Sequence, residues 1–167
     1  MRRAAAIAAA GMLYALLGLL PLPLAAQELD ARFSCSMTRS EDGERVIYAD
    51  HGQLRLKGDR VEIFRWESAL YRSTHGFDCS IDEGDGVQAE PGGEANAPAW
   101  RITLKDAANA RFARGFDFAR GANCSIRVAR SGDTVSLRPS CPALCGSRTN
   151  FSELAFDLKS GKCSYSE

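Results

Sequence analysis

Histidine is scarce in this chain of 167 residues: His51 in "ADHG" and His75 in "THGF" are the only two. Imidazole is the commonest metal ligand and the side chain that titrates near neutrality, so two isolated copies leave little for a histidine-built metal centre or proton relay. Neither has a recognisable nucleophile beside it. No G-x-S-x-G pattern occurs, which removes the usual signature of a hydrolase serine. A surplus of one charge sign is also missing. The 21 Lys and Arg match 21 Asp and Glu, a balance that gives no electrostatic basis for binding nucleic acid or an anionic membrane. Nor is there a small-residue box ahead of the first cysteine. Cys35 follows Arg32, Phe33 and Ser34, which excludes a lipoprotein.

What is present begins with "MRRAAAIAAAGMLYALLGLLPLPLAAQ". Arg2 and Arg3 precede an apolar run from Ala4 to Leu20, broken by Pro21 and Pro23 before Leu24, Ala25 and Ala26. That order reads as a secretory signal peptide over residues 1–26, cleaved after Ala26. The run exceeds the usual apolar region of about 7–15 residues, so a retained anchor is the alternative; once the segment is cleaved no stable membrane span remains. Two arginines leave with it, and 21 minus 2 gives 19 basic against 21 acidic side chains, a charge of −2. Residues 27–167 suit a single periplasmic or secreted domain with a core of its own. The alanine- and arginine-rich leader has a bacterial look; in a eukaryotic host Asn123 and Asn150 would be glycan acceptors.

Six cysteines, Cys35, Cys79, Cys124, Cys141, Cys145 and Cys163, all fall after the leader. An even count in an oxidising compartment predicts disulfides. One pair follows from a hairpin. In "CSIRVARSGDTVSLRPSC" a two-residue turn at Gly132-Asp133 sets Ser131 opposite Thr134 and therefore Cys124 opposite Cys141, within bridging distance. Cys145–Cys163 and Cys35–Cys79 complete the set by nearness in sequence.

Elsewhere short β-type runs alternate with turn signals from residue 31 to 89: "ARFSCSM", "SEDGE", "RVIYA", "DHG", "QLRLK", "GD", "RVEIFRW". Val61 and Ile63 alternate with Arg60 and Glu62 as on a half-buried strand. "QAEPGGEANAPA", residues 88–99, reads as a long exposed loop. Trp100, Ile102 and Leu104 restart the alternation. One helical turn near Ala107 to Arg111 is expected next, then strand, and later the strand "LAFDL", the turn "KSGK" and a terminal "CSYSE". "CSMTRSEDGERV" at 35–46 aligns with "CSIRVARSGDTV" at 124–135, which raises a duplicated hairpin as a possibility beside shared turn chemistry. The fold class is mostly β: a small antiparallel β-barrel or β-sandwich stapled by disulfides.

For chemistry the sharpest stretch is "CPALCGSRTNFS". Through Cys141, Cys145 and Gly146 it resembles the binuclear copper domain of cytochrome oxidase subunit II, but the histidine and methionine places hold Thr149 and Ser152, so the ligand set is incomplete. Dithiol catalysis needs C-x-x-C at a helix start, and Pro139 and Pro142 argue against a helix here. The acidic run Asp82 to Gly86 lacks the alternating ligands and closing glutamate of a calcium loop and reads as a solvated turn. Trp66 and Trp100 divide between core packing and a binding platform. No cofactor is implied. These readings predict an exported, non-catalytic binding domain, similar in size and architecture to small exported β-barrels such as bacterial inhibitors of host lysozyme. Its partner is expected to be an extracytoplasmic macromolecule, met through the loop of Arg148, Asn150 and Phe151, since arginine and aromatics carry interface energy. The rival is a copper carrier or redox protein using the Cys141/Cys145 pair.

Overall fold

Leu29, Ala31, Phe33 and Cys35 are buried in the first strand and Glu28, Asp30, Arg32 and Ser34 between them are exposed, the period of two that sends alternate side chains to opposite faces of a sheet. A computed structural model describes residues 27–113, 124–141, 144 and 150–166; the expected signal peptide, residues 1–26, lies outside them. Within them the alternation builds two antiparallel sheets. The first runs in spatial order β1 (Glu28–Glu41), β2 (Glu44–Lys57), β3 (Arg60–Tyr71) and β4 (Gly76–Ile81). The second runs β5 (Val87–Glu94), β6 (Ala97–Leu104), β7 (Ser125–Ser131), β8 (Thr134–Pro139), β9 (Leu154–Asp157) and β10 (Cys163–Tyr165), each strand beside the next in sequence. A 3-10 turn at Glu83–Asp85 leads from one sheet to the other, and a short helix, α1 (Ala107–Ala113), follows β6. The sheets are not closed into a barrel. They face each other as a sandwich. Among the described residues no helix is long and apolar enough to cross a membrane.

The inner faces share one core. Phe33, Leu54, Phe64 and Trp66 of the first sheet meet Ile102, Ile126, Leu137 and Phe156 of the second, and each such side chain contributes about 1.5–3 kcal/mol on burial. Phe33 stacks on Phe156 with centroids 4.9 Å apart and meets the edge of Trp66 at 6.3 Å, which ties strands of both sheets through one aromatic cluster. Gly52, opposite Phe33 in the ladder, makes room for that ring: a Cβ there would stand 2.7 Å from Phe33 Cε1. Trp100 is 1 % exposed and donates its indole N–H to Gly58 O at 2.9 Å, fastening the second sheet to the β2–β3 turn. Both tryptophans are core residues.

Several expectations are corrected. "DHG" is no turn: Asp50, His51 and Gly52 lie inside β2, whose inward positions run unbroken through Val46, Tyr48, Asp50, Gly52, Leu54 and Leu56. Residues 88–99 are no loop but most of the β5–β6 hairpin, with Pro91 opposite Trp100. β5 is the sheet's outer strand, and an edge tolerates a residue that cannot donate to the ladder. Val61 and Ile63 do not share a face, because the register shifts between Arg55 and Leu56; Glu62 is the extra residue, and such a bulge reverses which side chains point inward. The helix at Ala107–Ala113 matches the helical turn expected there. In the aligned segments 35–46 and 124–135 the turns fall one residue out of step, at Asp42-Gly43 and Gly132-Asp133, so the match carries no common hairpin register.

The hairpin register pairs Ser131 with Thr134 as expected, and Cys124 and Cys141 are bridged with Cα atoms 5.7 Å apart. The other proposed pairs are replaced. Cys35 joins Cys163 across 128 residues with Cα atoms 5.6 Å apart, which rules out Cys35–Cys79 and Cys145–Cys163: nearness in sequence yields to the meeting of the first and last strands. Cys79 is also disulfide-bonded, and Cys145 lies outside the described residues. These bridges accord with an oxidising, extracytoplasmic compartment.

Non-reducing peptide mapping is expected to return Cys35–Cys163 and Cys124–Cys141, with the Cys79 peptide linked to neither Cys35 nor Cys163. Because stabilisation by a disulfide grows with the loop it closes, replacing Cys35 and Cys163 by alanine should cost about 5 kcal/mol, against about 3 for Cys124 and Cys141. Urea midpoints measure both, and a larger shift for the second pair would contradict this order.

Candidate functional site

Of the contact loop read from sequence, Arg148 lies outside the described residues. Asn150 and Phe151 are placed, and they point inward, with 0 % and 1 % of their surfaces exposed. Phe151 meets Trp66 edge-on at 4.7 Å. Asn150 donates its amide to Ser68 O at 2.9 Å and Phe77 O at 3.3 Å, and its own carbonyl accepts from Ser68 Oγ at 3.0 Å. These bonds pin the chain onto β3 and β4, and neither residue offers its side chain to a partner or, at Asn150, to a glycan. Cys141 is committed to Cys124, so its sulfur has no thiolate to give a metal. Among the described residues no three His, Cys, Asp or Glu side chains are grouped to hold one.

The acidic run at 82–86 caps itself. Asp82 Oδ1 accepts from Gly84 N at 2.8 Å, and Asp85 Oδ2 accepts from Asp82 N at 2.9 Å, the reciprocal arrangement of a capping box. Asp85 is buried, so a turn read as solvated is half interior.

The most unusual group in the core is one that sequence reading passed over. Asp50 is 1 % exposed; its carboxylate accepts from Trp66 Nε1 at 2.8 Å and from Tyr165 Oη at 2.9 Å. Burial pushes the Asp50 carboxyl above its usual range, against the hydrogen bonds from Trp66 and Tyr165 that favour its charged form. Burial and then the neighbouring Asp50 charge push the Tyr165 hydroxyl well above its ordinary value. So enclosed a carboxyl meets no substrate. It joins β2 and β3 to the terminal strand β10.

Open surface of useful shape lies on the outer face of the four-stranded sheet. A concavity of about 670 Å³ is lined by Arg32, His51, Gln53, Arg65, Glu67 and Asp82, among others, a volume typical of ligand sites. The register explains the grouping: Arg32, Gln53 and Arg65 oppose one another across β1, β2 and β3, as do Ser34, His51, Glu67 and Ser80 across β1 to β4. His51 Nε2 stands 3.4 Å from Glu67 Oε2, with side chains 58 % and 44 % exposed. Arg65 Nη2 contacts Glu83 Oε1 at 3.0 Å, both more than half exposed. Pairs this exposed are screened and contribute about 0–1 kcal/mol, so the fold does not depend on them. Ser34, His51 and Glu67 share a row, and among the described residues no hydrogen bond joins the Ser34 hydroxyl to the imidazole. The face carries mixed donors and acceptors on a rigid ladder.

Asp50 gives the site's frame a pH dependence. Its raised native pKa means that the folded state binds a proton more tightly than the unfolded chain does; this contribution is full below the ordinary carboxylate range and is lost as pH rises through the native value. Relative to Asp50→Asn, wild-type stability should therefore improve between pH 7 and about pH 4. Urea melts of the two proteins at both values test it, and a gap that narrows in the variant's favour on acidification would refute the assignment.

The chain matches no protein-family model, no curated protein and no solved structure.

Proposed function

We propose that this protein is a non-catalytic binding domain that works outside the cytoplasm and meets a macromolecular partner in the manner of an inhibitor. The observation that carries the reading is the concave, charged outer face centred on His51, Arg65 and Glu67. Its ion pairs add little stability, so their arrangement is free to serve recognition. Ladder hydrogen bonds and the packed inner face hold its side chains on strands, and a preorganised surface loses less ordering entropy on binding. The frame beneath it is a sandwich with bridged strands, suited to a compartment that maintains disulfides.

Partner capture from the extracytoplasmic fraction with wild type, Arg65→Ala and Arg148→Ala tests the reading, with thermal melts confirming that the variants fold. An arginine at the centre of a contact costs about 1–2 kcal/mol on truncation, so Arg65→Ala should weaken capture roughly 5- to 30-fold. Arg148→Ala reports on the loop that sequence favoured. Equal capture by both folded variants would remove these surfaces from the proposal, and substrate turnover by the purified, metal-free protein would overturn its class.

A further inference from the structure

The opposite outer face, that of the six-stranded sheet, carries a different pattern. Arg101 of β6, Arg127 of β7 and Arg138 of β8 stand directly opposite one another, and Glu90 of β5 opposes Arg101. Directly opposed residues have β-carbons about 4.5–5.5 Å apart, and like charges so placed are destabilising. The ends of the row are neutralised. Glu90 approaches Arg101 at 3.6 Å, and Glu153 holds Arg138 in a fork, Nε to Oε2 at 2.7 Å and Nη2 to Oε1 at 2.8 Å. Arg127, in the middle, has no carboxylate partner among the described residues. Three guanidiniums against two carboxylates leave one positive charge, centred on Arg127 and placed over a concavity of about 570 Å³.

The rest of the lining favours the same kind of ligand. Ser140 Oγ accepts from Ser125 N at 2.8 Å, which leaves its hydroxyl proton to donate. Gly92 and Gly93 keep the β5 side of the concavity low; at Gly93, φ of 79° calls for glycine. We infer that this row is a binding site for a tetrahedral oxyanion, a sulfate or phosphate ester group of the ligand, with Arg127 as its principal contact. The planar guanidinium fork matches such oxygens two at a time. The adjacent forks of Arg127 and Arg101 suit a group with three or more acceptor oxygens better than a carboxylate, which one fork saturates. The loosely held Arg101 can turn to share the anion, whereas Arg138 stays locked to Glu153. The site lies apart from the face proposed above and stands or falls separately.

Titrating sodium phosphate, sodium sulfate and sodium acetate at matched ionic strength, with backbone and arginine Nε–H signals followed by NMR, tests the inference. Phosphate or sulfate should shift the Arg127 and Arg101 signals along a saturable curve. Arg127→Gln should weaken that binding at least tenfold, while Arg55→Gln, on the other sheet, should leave it unchanged. Removing a like-charged neighbour should also leave the Arg127→Gln variant at least as stable as wild type at low salt, which separates a ligand-binding role from a structural one. Linear shifts that are alike in all three proteins would overturn the site, and acetate saturating as tightly as phosphate and sulfate would overturn its assignment to tetrahedral anions. Which of the two oxyanions binds more tightly identifies the ester to be sought in the natural ligand.

Discussion

The sandwich is held shut where its last strand meets its first two. β10 is three residues long, too short to be held by its own ladder, yet two side-chain links fix it there. Cys163 is bonded to Cys35 of β1, and Tyr165, two residues on, reaches the buried carboxyl of Asp50 in β2. The same carboxyl takes the indole N–H of Trp66, and Trp66 in turn supports Phe151 and Phe33. A charge enclosed this fully would be costly if unpaired, so Asp50 tolerates its place only while Trp66 and Tyr165 remain aimed at it. Seam and aromatic core therefore depend on each other: displacing β10 would orphan the carboxylate, and displacing Trp66 would leave Tyr165 bound to a mobile acceptor.

Because the interior is so occupied, the two outer faces are left for recognition, and they differ in kind. On the four-stranded sheet Arg32 and Arg65 share the concavity with Glu67, Asp82 and Glu83, and its charge is nearly balanced. On the six-stranded sheet one row gathers arginines from three consecutive strands and compensates only its ends. A balanced face discriminates by matching positions of donors and acceptors, while an uncompensated charge draws its ligand from further off and is sensitive to salt. One rigid frame can hold both without strain, since alternate residues of each strand are committed to the core and the others are free.

How much of this the sequence disclosed depended on how local the cause was. The 124–141 hairpin was readable because a two-residue turn fixes every later pairing, and the same count places Arg127 opposite Arg138. Asp50, His51 and Gly52 looked like a turn by composition, yet the inward positions Val46, Tyr48, Leu54 and Leu56 keep one parity through them, a signal that counting would have caught. What no count reveals is that Gly52 is empty for the ring of Phe33, that Glu62 bulges and so reverses the face of Ile63, or that Pro91 and its glycines form an edge strand and not a loop. Asn150 and Phe151 carried residue types common at interfaces, but their fate was set by Ser68, Phe77 and Trp66, 73 to 85 positions away.

The link between Cys35 and Cys163 also imposes an order in time. Synthesis runs from the N-terminus, so the first cysteine to appear has a partner that arrives 128 residues later. In the interval Cys35 sees Cys79, Cys124, Cys141 and Cys145 before its own mate, and thiolate exchange on any of them is open to it. Cys124 has the opposite history: its partner follows after 17 residues, on the far arm of the same hairpin. The local bridge can form early and stay, while the seam is closed last, by waiting or by exchange over seconds to hours. Maturation of the sandwich is thus paced by the arrival of its shortest strand.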